Sequence, residues 1–599
     1  MPRCSLASVP RRRSRRPIPP AAVLLSVTGL LLVGAAAPAA GWAPDGSPVC
    51  VAAGDQIDPI LLEGGAVVWN DYRHGRSGIY YRQAIDEGTW FEPAPVEIPV
   101  YVGEGTASAP RAIPFPGSIL VTWSDTRNGA GNADVFVQRL DRSGIWPSYI
   151  WDGIHVCTAP GNQVDPAIAD DGAGGFFIAW RDGRSESTLG KDVYLQHFHE
   201  YGQVWEGWPV DGVRVCGAPG DQEEPVVVAD GAGGALVFWR DGRSGSSEFY
   251  AKGVDADGAA PSGWGQEGIP VCEAPGEQRQ LRALPDGAGG AYLAWIDSRD
   301  GTPQLYAGRV SGTGSPPPGW PANGVAVSTR PLEYVDAAAL CAADGGGIYL
   351  VWAQSSKGAA GVEAQRLLAD GSLPAGWEPG GKVLSRTARI GMGVAAVSDG
   401  AGGVCVAWSE YGYMTDLRAL RLHGSGAVAE HWPPGGALLS GADESQMLPA
   451  WRSGQPPGGP IASDGSGGAI VAWTDARASV DWDIYAQRVT GNGVIAPSGP
   501  PGCWLECAPD YVQRVYPNPT RGGFTVEGWV PESGGAWVDV LDIQGRVRHR
   551  QRYDEPGPVV RRLPVNLPRL PSGVYFVQYR LGSTEPGRVY GIRKIFLIH

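Results

Sequence analysis

Basic residues are scarce in this 599-residue chain, which has 48 Lys and Arg residues against 62 Asp and Glu residues. Six of the arginines lie among the first 16 residues, so the rest of the chain carries a net charge near −20. Nucleic acids and anionic membrane surfaces bind through positive patches. The composition therefore argues against nucleic acid as a partner and leaves glycans, cations and proteins open.

Catalytic sequence motifs are also lacking. The chain has no Gly-x-Ser-x-Gly nucleophile motif, no glycine-rich nucleotide loop and no metalloprotease helix motif. Acidic residues are numerous, but nothing in their spacing singles out two of them as a catalytic pair. The sequence therefore predicts no catalytic residue and no resident cofactor.

Cysteine is sparse, with nine residues, one of which is Cys4 near the amino terminus. Five others take one position of a repeated pattern, namely Cys50, Cys157, Cys216, Cys272 and Cys507. A disulfide needs Cα atoms about 4.4–6.8 Å apart, and equivalent positions of neighbouring repeats should lie farther apart than that. We interpret these cysteines as small buried apolar residues. Cys503 and Cys507 could pair with each other in an oxidising compartment.

Only one hydrophobic run is long, at residues 21–37, and an arginine-rich segment precedes it. Small residues at Ala37 and Ala39 suit a signal peptidase. Residues 1–40 are therefore predicted to be a signal peptide, with a membrane anchor as the alternative. No other segment is long and apolar enough to cross a membrane as a helix, so we expect no span in the mature chain.

Glycine, by contrast, is abundant and periodic. The sequence Asp-Gly-Ala-Gly-Gly begins at Asp171, Asp230, Asp286 and Asp399, and each copy leads into an apolar segment that ends in Trp. Eight such Trp residues recur at intervals of 54–65 residues: Trp69, Trp123, Trp180, Trp239, Trp295, Trp352, Trp408 and Trp473. Glycine supplies the positive φ of a tight hairpin at little cost. The chain is therefore predicted to contain eight copies of one β-sheet unit.

Each unit of about 57 residues has four strand-length segments separated by turns. A single four-stranded sheet cannot bury both of its faces, so the copies must stack. We predict an all-β fold in which residues 41–495 form an eight-bladed β-propeller. The units are too short for a row of β-sandwich domains and too rich in paired hairpins for an open solenoid.

The start of the mature chain predicts how the ring closes. Residues 41–50 match the fourth strand of a unit, but they precede the first complete unit. We predict that they pair beside Asp483–Arg488 of the last unit. Residues 496–510 are then left as a linker.

The motif Trp-x-Asp-x-Arg occurs in six units. Its residues are Trp69, Asp71, Arg73, Trp123, Asp125, Arg127, Trp180, Asp182, Arg184, Trp239, Asp241, Arg243, Trp295, Asp297, Arg299, Trp473, Asp475 and Arg477. A spacing of two places the three side chains on one strand face. We interpret the motif as scaffold, with Trp between blades and Arg bonded to Asp, rather than as a ring of carboxylates that binds cations or sugars. The units of Trp352 and Trp408 lack the Asp-Arg pair, so a local site could lie near them.

Two features could be mistaken for metal sites. The Asp-Gly-Ala-Gly-Gly loops lack the alternating ligands and the bidentate Glu of calcium loops, so Ca²⁺ is a possible but disfavoured ligand. His197 and His199 face one side of a strand, but no further ligand is implied at metal-site spacing. We interpret them as a surface pair.

From about Tyr511 a new pattern of alternating strands and turns begins. It contains Tyr-Pro-Asn-Pro at 516–519, Asp-x-x-Gly-Arg at 542–546, Ser-Gly-Val-Tyr at 572–575 and a basic then apolar end. The motif residues are Tyr516, Pro517, Asn518, Pro519, Asp542, Gly545, Arg546, Gly573, Tyr575 and Lys594. Alternation over about 85 residues predicts a small immunoglobulin-like β-sandwich at residues 511–599.

These motifs, in this order, resemble the type A C-terminal sorting domain of the type IX (Por) secretion system. The resemblance implies export across an outer membrane, recognition by the secretion translocon and a secreted or cell-surface location. A permanent immunoglobulin-like module is the alternative. The repeat region resembles secreted bacterial β-propellers.

Two functions from different classes fit the sequence. The first is a non-catalytic binding or adhesion scaffold for an unknown glycan or protein ligand, for which exposed aromatics at Trp208 and Trp320 would be suitable. The second is a secreted propeller glycosidase or polysaccharide lyase that uses acids near the ring axis. The sequence favours the first, because no catalytic constellation stands out.

Overall fold

The structure is a computed structural model. It describes residues 42, 45–83, 97–129, 131–141, 144–145, 152–187, 190–328, 334–356, 359–386, 393–411, 415–449, 459–477, 481–495, 512–516, 523–530, 536–541, 546–553, 559–566, 570, 573–581 and 588–597.

Eight antiparallel sheets follow one another along the chain, and the described residues contain strands and turns but no helix. The first strand is β1 (Ser47–Cys50). Blade 1 contains β2 (Gln56–Leu61), β3 (Ala66–Asp71), β4 (Gly78–Gln83) and β5 (Ile98–Tyr101). Blade 2 contains β6 (Ala107–Phe115), β7 (Ser118–Asp125), β8 (Asp134–Asp141), β9 (Gly144–Ile145) and β10 (Ile154–His155). Blade 3 contains β11 (Gln163–Asp170), β12 (Gly175–Asp182), β13 (Asp192–His199) and β14 (Val213–Cys216).

The next blades repeat this plan. Blade 4 contains β15 (Gln222–Ala229), β16 (Ala235–Asp241), β17 (Glu248–Val254) and β18 (Ile269–Pro270). Blade 5 contains β19 (Gln278–Pro285), β20 (Ala291–Asp297), β21 (Gln304–Val310) and β22 (Val325–Ala326). Blade 6 contains β23 (Tyr334–Ala342), β24 (Ile348–Ser356), β25 (Ala359–Leu367) and β26 (Lys382–Ser385). Blade 7 contains β27 (Val394–Ser398), β28 (Val404–Tyr411), β29 (Thr415–Leu422) and β30 (Ala437–Ser440). Blade 8 contains β31 (Gln446–Met447), β32 (Ile461–Ser463), β33 (Ala469–Asp475) and β34 (Asp483–Val489).

Blade 8 takes its outer strand from the other end of the propeller. Strand β1 pairs antiparallel with β34, with Ser47 opposite Ala486 and Pro48 opposite Tyr485. The backbone N–H of Gln56 also donates to the carbonyl of Trp482 at 2.6 Å. The predicted ring closure is therefore found, and the prediction of an all-β eight-bladed propeller is confirmed.

Two sets of residues that recur along the chain stabilise the blades. The Asp-Gly turns form as predicted: Gly172 has φ of 71°, and Asp171 Oδ1 accepts the backbone N–H groups of Ala173 at 2.6 Å and Gly175 at 2.8 Å. The eight repeat Trp side chains are all at most 1% exposed. Large apolar side chains stabilise a fold most when they are fully removed from water, so these residues form the core between the sheets.

The C-terminal region forms two further antiparallel sheets. One contains β35 (Val512–Tyr516), β36 (Gly523–Val530) and β39 (Val559–Asn566), and the other contains β37 (Ala536–Leu541), β38 (Val547–Tyr553), β40 (Gly573–Leu581) and β41 (Arg588–Leu597). Phe524, Val538, Val540 and Val565 are buried. The immunoglobulin-like character of this region stays a prediction.

Candidate ligand-binding site at the channel mouth

The Trp-x-Asp-x-Arg motif forms a closed cluster of hydrogen bonds. In blade 3, Asp182 Oδ2 accepts the indole N–H of Trp180 at 2.8 Å, while Arg184 donates from its backbone N–H, Nε and Nη2 at 2.8–2.9 Å. The Arg184 guanidinium also lies 3.9 Å from the ring centroid of Tyr194. Asp182 is fully buried. Its carboxylate is therefore committed to the protein itself.

The other five copies repeat this geometry, with indole to carboxylate distances of 2.7–2.9 Å. In all six copies the carboxylate is therefore hydrogen-bonded within its own blade, and the role of the motif as scaffold stays a prediction. The repeated cysteines join the same cluster: Arg184 Nη2 lies 3.1 Å from Cys157 Sγ. Burial raises the pKa of the Cys157 thiol to about 12, so the thiol stays protonated and unreactive at neutral pH.

The two units without the Asp-Arg pair use different partners. Gln354 donates to Glu363 at 2.5 Å in blade 6, and Arg418 pairs with Glu410 in blade 7. The indole N–H groups of Trp352 and Trp408 are buried, and no described residue accepts a hydrogen bond from them. These blades therefore lack a bond that stabilises the other six.

The predicted exposed aromatics are wrong. Trp208 and Trp320 are only 6% and 5% exposed. The indole N–H of each donates to a carbonyl of the next blade, at 2.8 Å to Ala256 and 2.9 Å to Ala369. Equivalent bonds are made in blades 4, 6 and 7 by Trp264, Trp377 and Trp432. This second Trp repeat links neighbouring blades, a role that the sequence pattern did not indicate.

The interpretation of His197 as a surface residue is also wrong, because it is 1% exposed. Its ring lies 4.0 Å from Phe177 and 4.2 Å from Trp205, measured between ring centroids, and its Nε2 lies 2.8 Å from Asp171 Oδ2. Burial lowers the pKa of His197, against the opposing effect of Asp171.

The turn aspartates equivalent to Asp171 in blades 5, 7 and 8 are Asp286, Asp399 and Asp464. They form ion pairs with Arg309, Arg421 and Arg488, respectively. These turn carboxylates therefore already bond to side chains of the protein. Among the described residues, no group of three His, Cys, Asp or Glu side chains is placed to hold a metal ion.

The sorting motif lies only partly within the described residues. Tyr516 ends β35, Gly573 and Tyr575 belong to β40, and Lys594 belongs to β41 opposite Phe576. Arg546 directly precedes β38. The remaining motif residues lie outside the described part of the chain: Pro517, Asn518, Pro519, Asp542 and Gly545. Cys503 and Cys507 lie outside it as well.

A recurring β-bulge interrupts the first strand of blades 1–6, shortly after the strand begins. In five of these blades the bulged residue has positive φ although it is not glycine: Asp58 (55°), Ala109 (49°), Asp165 (54°), Glu224 (54°) and Gln280 (58°). Each of these conformations costs about 1–2 kcal/mol. Because each sheet is ordered from first to fourth strand and the first strands of neighbouring blades pack together, the bulges border the central channel.

A glutamine at the start of the same strand fixes the loop before the bulge. Gln222 Nε2 donates to the carbonyls of Ala218 at 3.1 Å and Gly220 at 2.9 Å. Gln278 makes the equivalent bonds in blade 5. Each glutamine is fully buried, so the loop before the strand is tied to a fixed side chain two positions before the strained residue.

Blades 3 and 4 place charged groups at this end of the channel. Arg181 contacts Asp165 at 2.7 Å and Glu223 of the next blade at 3.1 Å. Arg240 contacts Glu223 at 2.5 Å and Glu224 at 3.2 Å. The five side chains are 22–42% exposed, so they are fixed by one another and still accessible to solvent. We call this group the channel-mouth cluster.

The cluster breaks the symmetry of the ring. Arg181 and Arg240 occupy the position between Trp and Asp of the motif, where the other six blades have neutral residues: Asn70, Ser124, Ile296, Ala353, Ser409 and Thr474. A sixth charged group joins from blade 3, because Lys191 Nζ lies 3.3 Å from Glu223 Oε1. Partial burial disfavours the charged ammonium, but Asp221 and Glu223 outweigh this effect and raise the pKa of Lys191. Paired, half-exposed charges of both signs can exchange hydrogen bonds with a polar ligand.

Comparison with known proteins identifies the C-terminal region. Residues 514–586 match the family described as secretion system C-terminal sorting domain. This region is a type IX sorting domain. The chain is therefore exported to the cell surface or the extracellular space, and its sorting domain engages the type IX secretion machinery. No described helix is long and apolar enough to cross a membrane.

Several solved structures show low similarity to this chain. Puromycin hydrolase gives a TM-score of 0.38 at 15% identity, over 72% of this chain, and the chain spans 62% of the length of that protein. Endo-arabinase from Bacteroides thetaiotaomicron gives 0.24 at 13% identity, over 44% of this chain and 96% of that one. Alpha-L-arabinanase from Cellvibrio cellulosa gives a TM-score of 0.24 at 16% identity, over 44% of this chain and 94% of that one. No curated protein matches the chain.

Proposed function

We propose that the chain is an exported, non-catalytic binding or adhesion protein, whose channel-mouth cluster binds a glycan or protein partner. In this proposal residues 1–40 are a signal peptide, 41–495 form the propeller, 496–510 are a linker and 511–599 form the sorting domain. The observation that carries the proposal is the asymmetry of the ring. Six blades have neutral residues where blades 3 and 4 present Arg181 and Arg240, and a site is built once on a repeated scaffold.

The pairing of the acids favours binding over catalysis. A general acid of a glycosidase needs a carboxyl group that is protonated near neutral pH. Asp165, Glu223 and Glu224 each contact a guanidinium, so all three are held in ion pairs within the cluster. Asp483, in contrast, has its pKa raised to about 6 by burial and by Asp475 and Asp481, but it is only 3% exposed and out of reach of a polymer.

Binding arrays test the proposal. Purified protein beginning at residue 41 would be applied to glycan and surface-protein arrays, alone and as the double variant Arg181→Ala/Arg240→Ala. We expect a reproducible ligand whose affinity falls at least ~10-fold in the double variant, because each lost charged hydrogen bond contributes about 1.5–3 kcal/mol. The matched control is Asn70→Ala/Thr474→Ala, at the equivalent positions of blades 1 and 8, and it should bind normally.

The same samples separate binding from catalysis. Reproducible release of soluble product from a bound glycan would replace the binding proposal with the glycosidase or lyase alternative. Equal binding by the double variant and the wild type would place the ligand away from the channel mouth.

A further inference from the structure

A pocket of about 170 Å³ lies between blades 4 and 5, away from the channel-mouth cluster. Ile269 of blade 4 and Leu293 and Trp295 of blade 5 form apolar walls. Gly308 of β21 borders the pocket, and so does the turn at residues 321–324 that leads into β22. At about 30 Å³ for each water molecule, the volume is enough for several waters or a small ligand group.

The absence of a side chain at Gly308 explains the pocket. The other seven blades have a longer residue at this position of the third strand: Arg82, Gln138, Gln196, Lys252, Gln365, Leu420 and Gln487. In blade 3, Gln196 Nε2 donates to the carbonyls of Pro209 at 2.6 Å and Val210 at 3.0 Å, in the turn before the fourth strand. The equivalent turn of blade 5 borders the pocket, and Gly308 cannot reach it.

Two blades place a cation where the pocket lies. Lys252 Nζ in blade 4 donates to the carbonyl of Val215, in the outer strand of the preceding blade, at 2.7 Å. Arg82 in blade 1 donates in the same way to the carbonyl of Val49. The corresponding residue for blade 5 is Val271, which lines the pocket. The pocket is therefore bordered by the residue whose counterparts in two other blades accept, through their backbone carbonyls, a hydrogen bond from a cationic side chain.

The charges around the pocket also favour a cation. Glu273 lines it and is exposed, so its carboxylate is available at the rim. Arg309 lines it too, but its guanidinium contacts Asp286 at 2.7 Å and the carbonyl of Ala369 at 2.9 Å, which compensates its charge. The chain as a whole is acidic, with a net charge of −14.

We propose that this pocket binds a primary ammonium group on a short apolar stem, the chemistry of an alkylamine or of a lysine side chain. The stem packs against Ile269, Leu293 and Trp295, and the ammonium donates to the carbonyls of Val271 and Ala322. Lys252 donates to the equivalent carbonyls in blade 4, those of Val215 at 2.7 Å and Gln266 at 2.6 Å. This site is additional to the channel-mouth cluster and does not depend on the function proposed for it.

Calorimetric titration of the whole mature protein with butylammonium tests the proposal, with butan-1-ol as the neutral analogue. We expect saturable binding of butylammonium, and binding at least ~10-fold weaker for butan-1-ol, since a charged donor forms the stronger hydrogen bond. N-acetyl-lysine methylamide and a lysine-containing peptide distinguish the two sources of the group. Tighter binding of the peptide identifies a protein partner, and equal binding identifies a free amine.

Three variants locate the site. Gly308→Gln restores the residue of blades 2, 3, 6 and 8 and should abolish binding. A Cβ at Gly308 would lie 3.0 Å from Trp295, so the melting temperature of this variant must be compared with that of the wild type. Glu273→Gln, on the surface, should weaken butylammonium binding several-fold while the matched surface variant Glu277→Gln does not. Unchanged binding in Gly308→Gln and Glu273→Gln, or equal affinity for butan-1-ol, would overturn the proposal.

Discussion

The indole N–H of Trp180 donates to Oδ2 of Asp182 at 2.8 Å, two residues along the same strand, and both side chains are fully buried. This contact connects the Trp180 side chain, in the core between two blades, to the hydrogen bonds that Arg184 makes with Asp182. Because it recurs in six blades, it contributes to the stability of the whole ring.

Asp182→Asn should destabilise the propeller strongly. The amide NH₂ cannot accept hydrogen bonds, and the loss of charge leaves the Arg184 guanidinium without its carboxylate. We expect a loss of about 2–4 kcal/mol in the free energy of unfolding, measured by urea denaturation. Asp257→Asn, at an exposed turn position, is the control and should change stability by less than about 0.5 kcal/mol. Equal effects of the two substitutions on the free energy of unfolding would contradict the stabilising role given to the Asp182 carboxylate.

Replacement of Trp by Phe should cost less in blade 6 than in blade 3. Both substitutions remove apolar volume, but Trp180→Phe also breaks a hydrogen bond to a buried carboxylate. Trp352→Phe removes an indole N–H that has no acceptor among the described residues. The difference should be about 1–3 kcal/mol in unfolding free energy, with Trp180→Phe the less stable. Equal losses in the two blades would show that the indole hydrogen bond adds nothing.

Asp483→Asn should stabilise the protein near neutral pH. Burial, with Asp475 and Asp481 nearby, raises the pKa of Asp483 to about 6 from the ordinary value of 3.8. Asp483 therefore favours the folded state only while protonated, and this contribution is lost as the pH rises from about 4 to above 6. Blade 5 already has a neutral residue, Gln304, at the equivalent position.

We expect the Asn variant to be about 1–3 kcal/mol more stable than the wild type at pH 7.5, with the difference vanishing at pH 4. Urea denaturation at both pH values measures it. A gain that is the same at pH 4 and pH 7.5 would point to packing rather than to the charge of Asp483.

The scaffold could be predicted from the sequence because it is repeated. The eight Trp residues, the Asp-Gly turns and the match of residues 41–50 to a fourth strand each rest on a local pattern with one physical meaning. Repetition also reveals the buried role of the Trp-x-Asp-x-Arg motif. The glycine and proline beside Trp208 and Trp320 suggest exposed turns, but both indoles are buried and bond to the next blade.

The candidate sites are the parts that differ between repeats, and they could not be derived from the pattern. Arg181 and Arg240 occupy the variable position of the motif, and only the fold shows that they meet Glu223. Nothing in the local sequence of Asp165 signals its positive φ, which tertiary contacts impose. A comparison of the eight units at the Gly308 position would have found the missing side chain, but only the structure shows the pocket.

The central channel depends on the pairing of β1 with β34, because only a closed ring of blades encloses a channel. The double variant Ser47→Cys/Ala486→Cys tests it, since these residues face each other in register and antiparallel partners have Cα separations of about 4.5–5.5 Å, which a disulfide can span. We predict an intramolecular disulfide on mild oxidation, mapped by mass spectrometry of proteolytic peptides, and a raised melting temperature. The control is Ser47→Cys/Ala364→Cys, at the equivalent position of blade 6, which should not crosslink. Failure of the 47–486 disulfide to form, or its formation only between molecules, would contradict the closed ring.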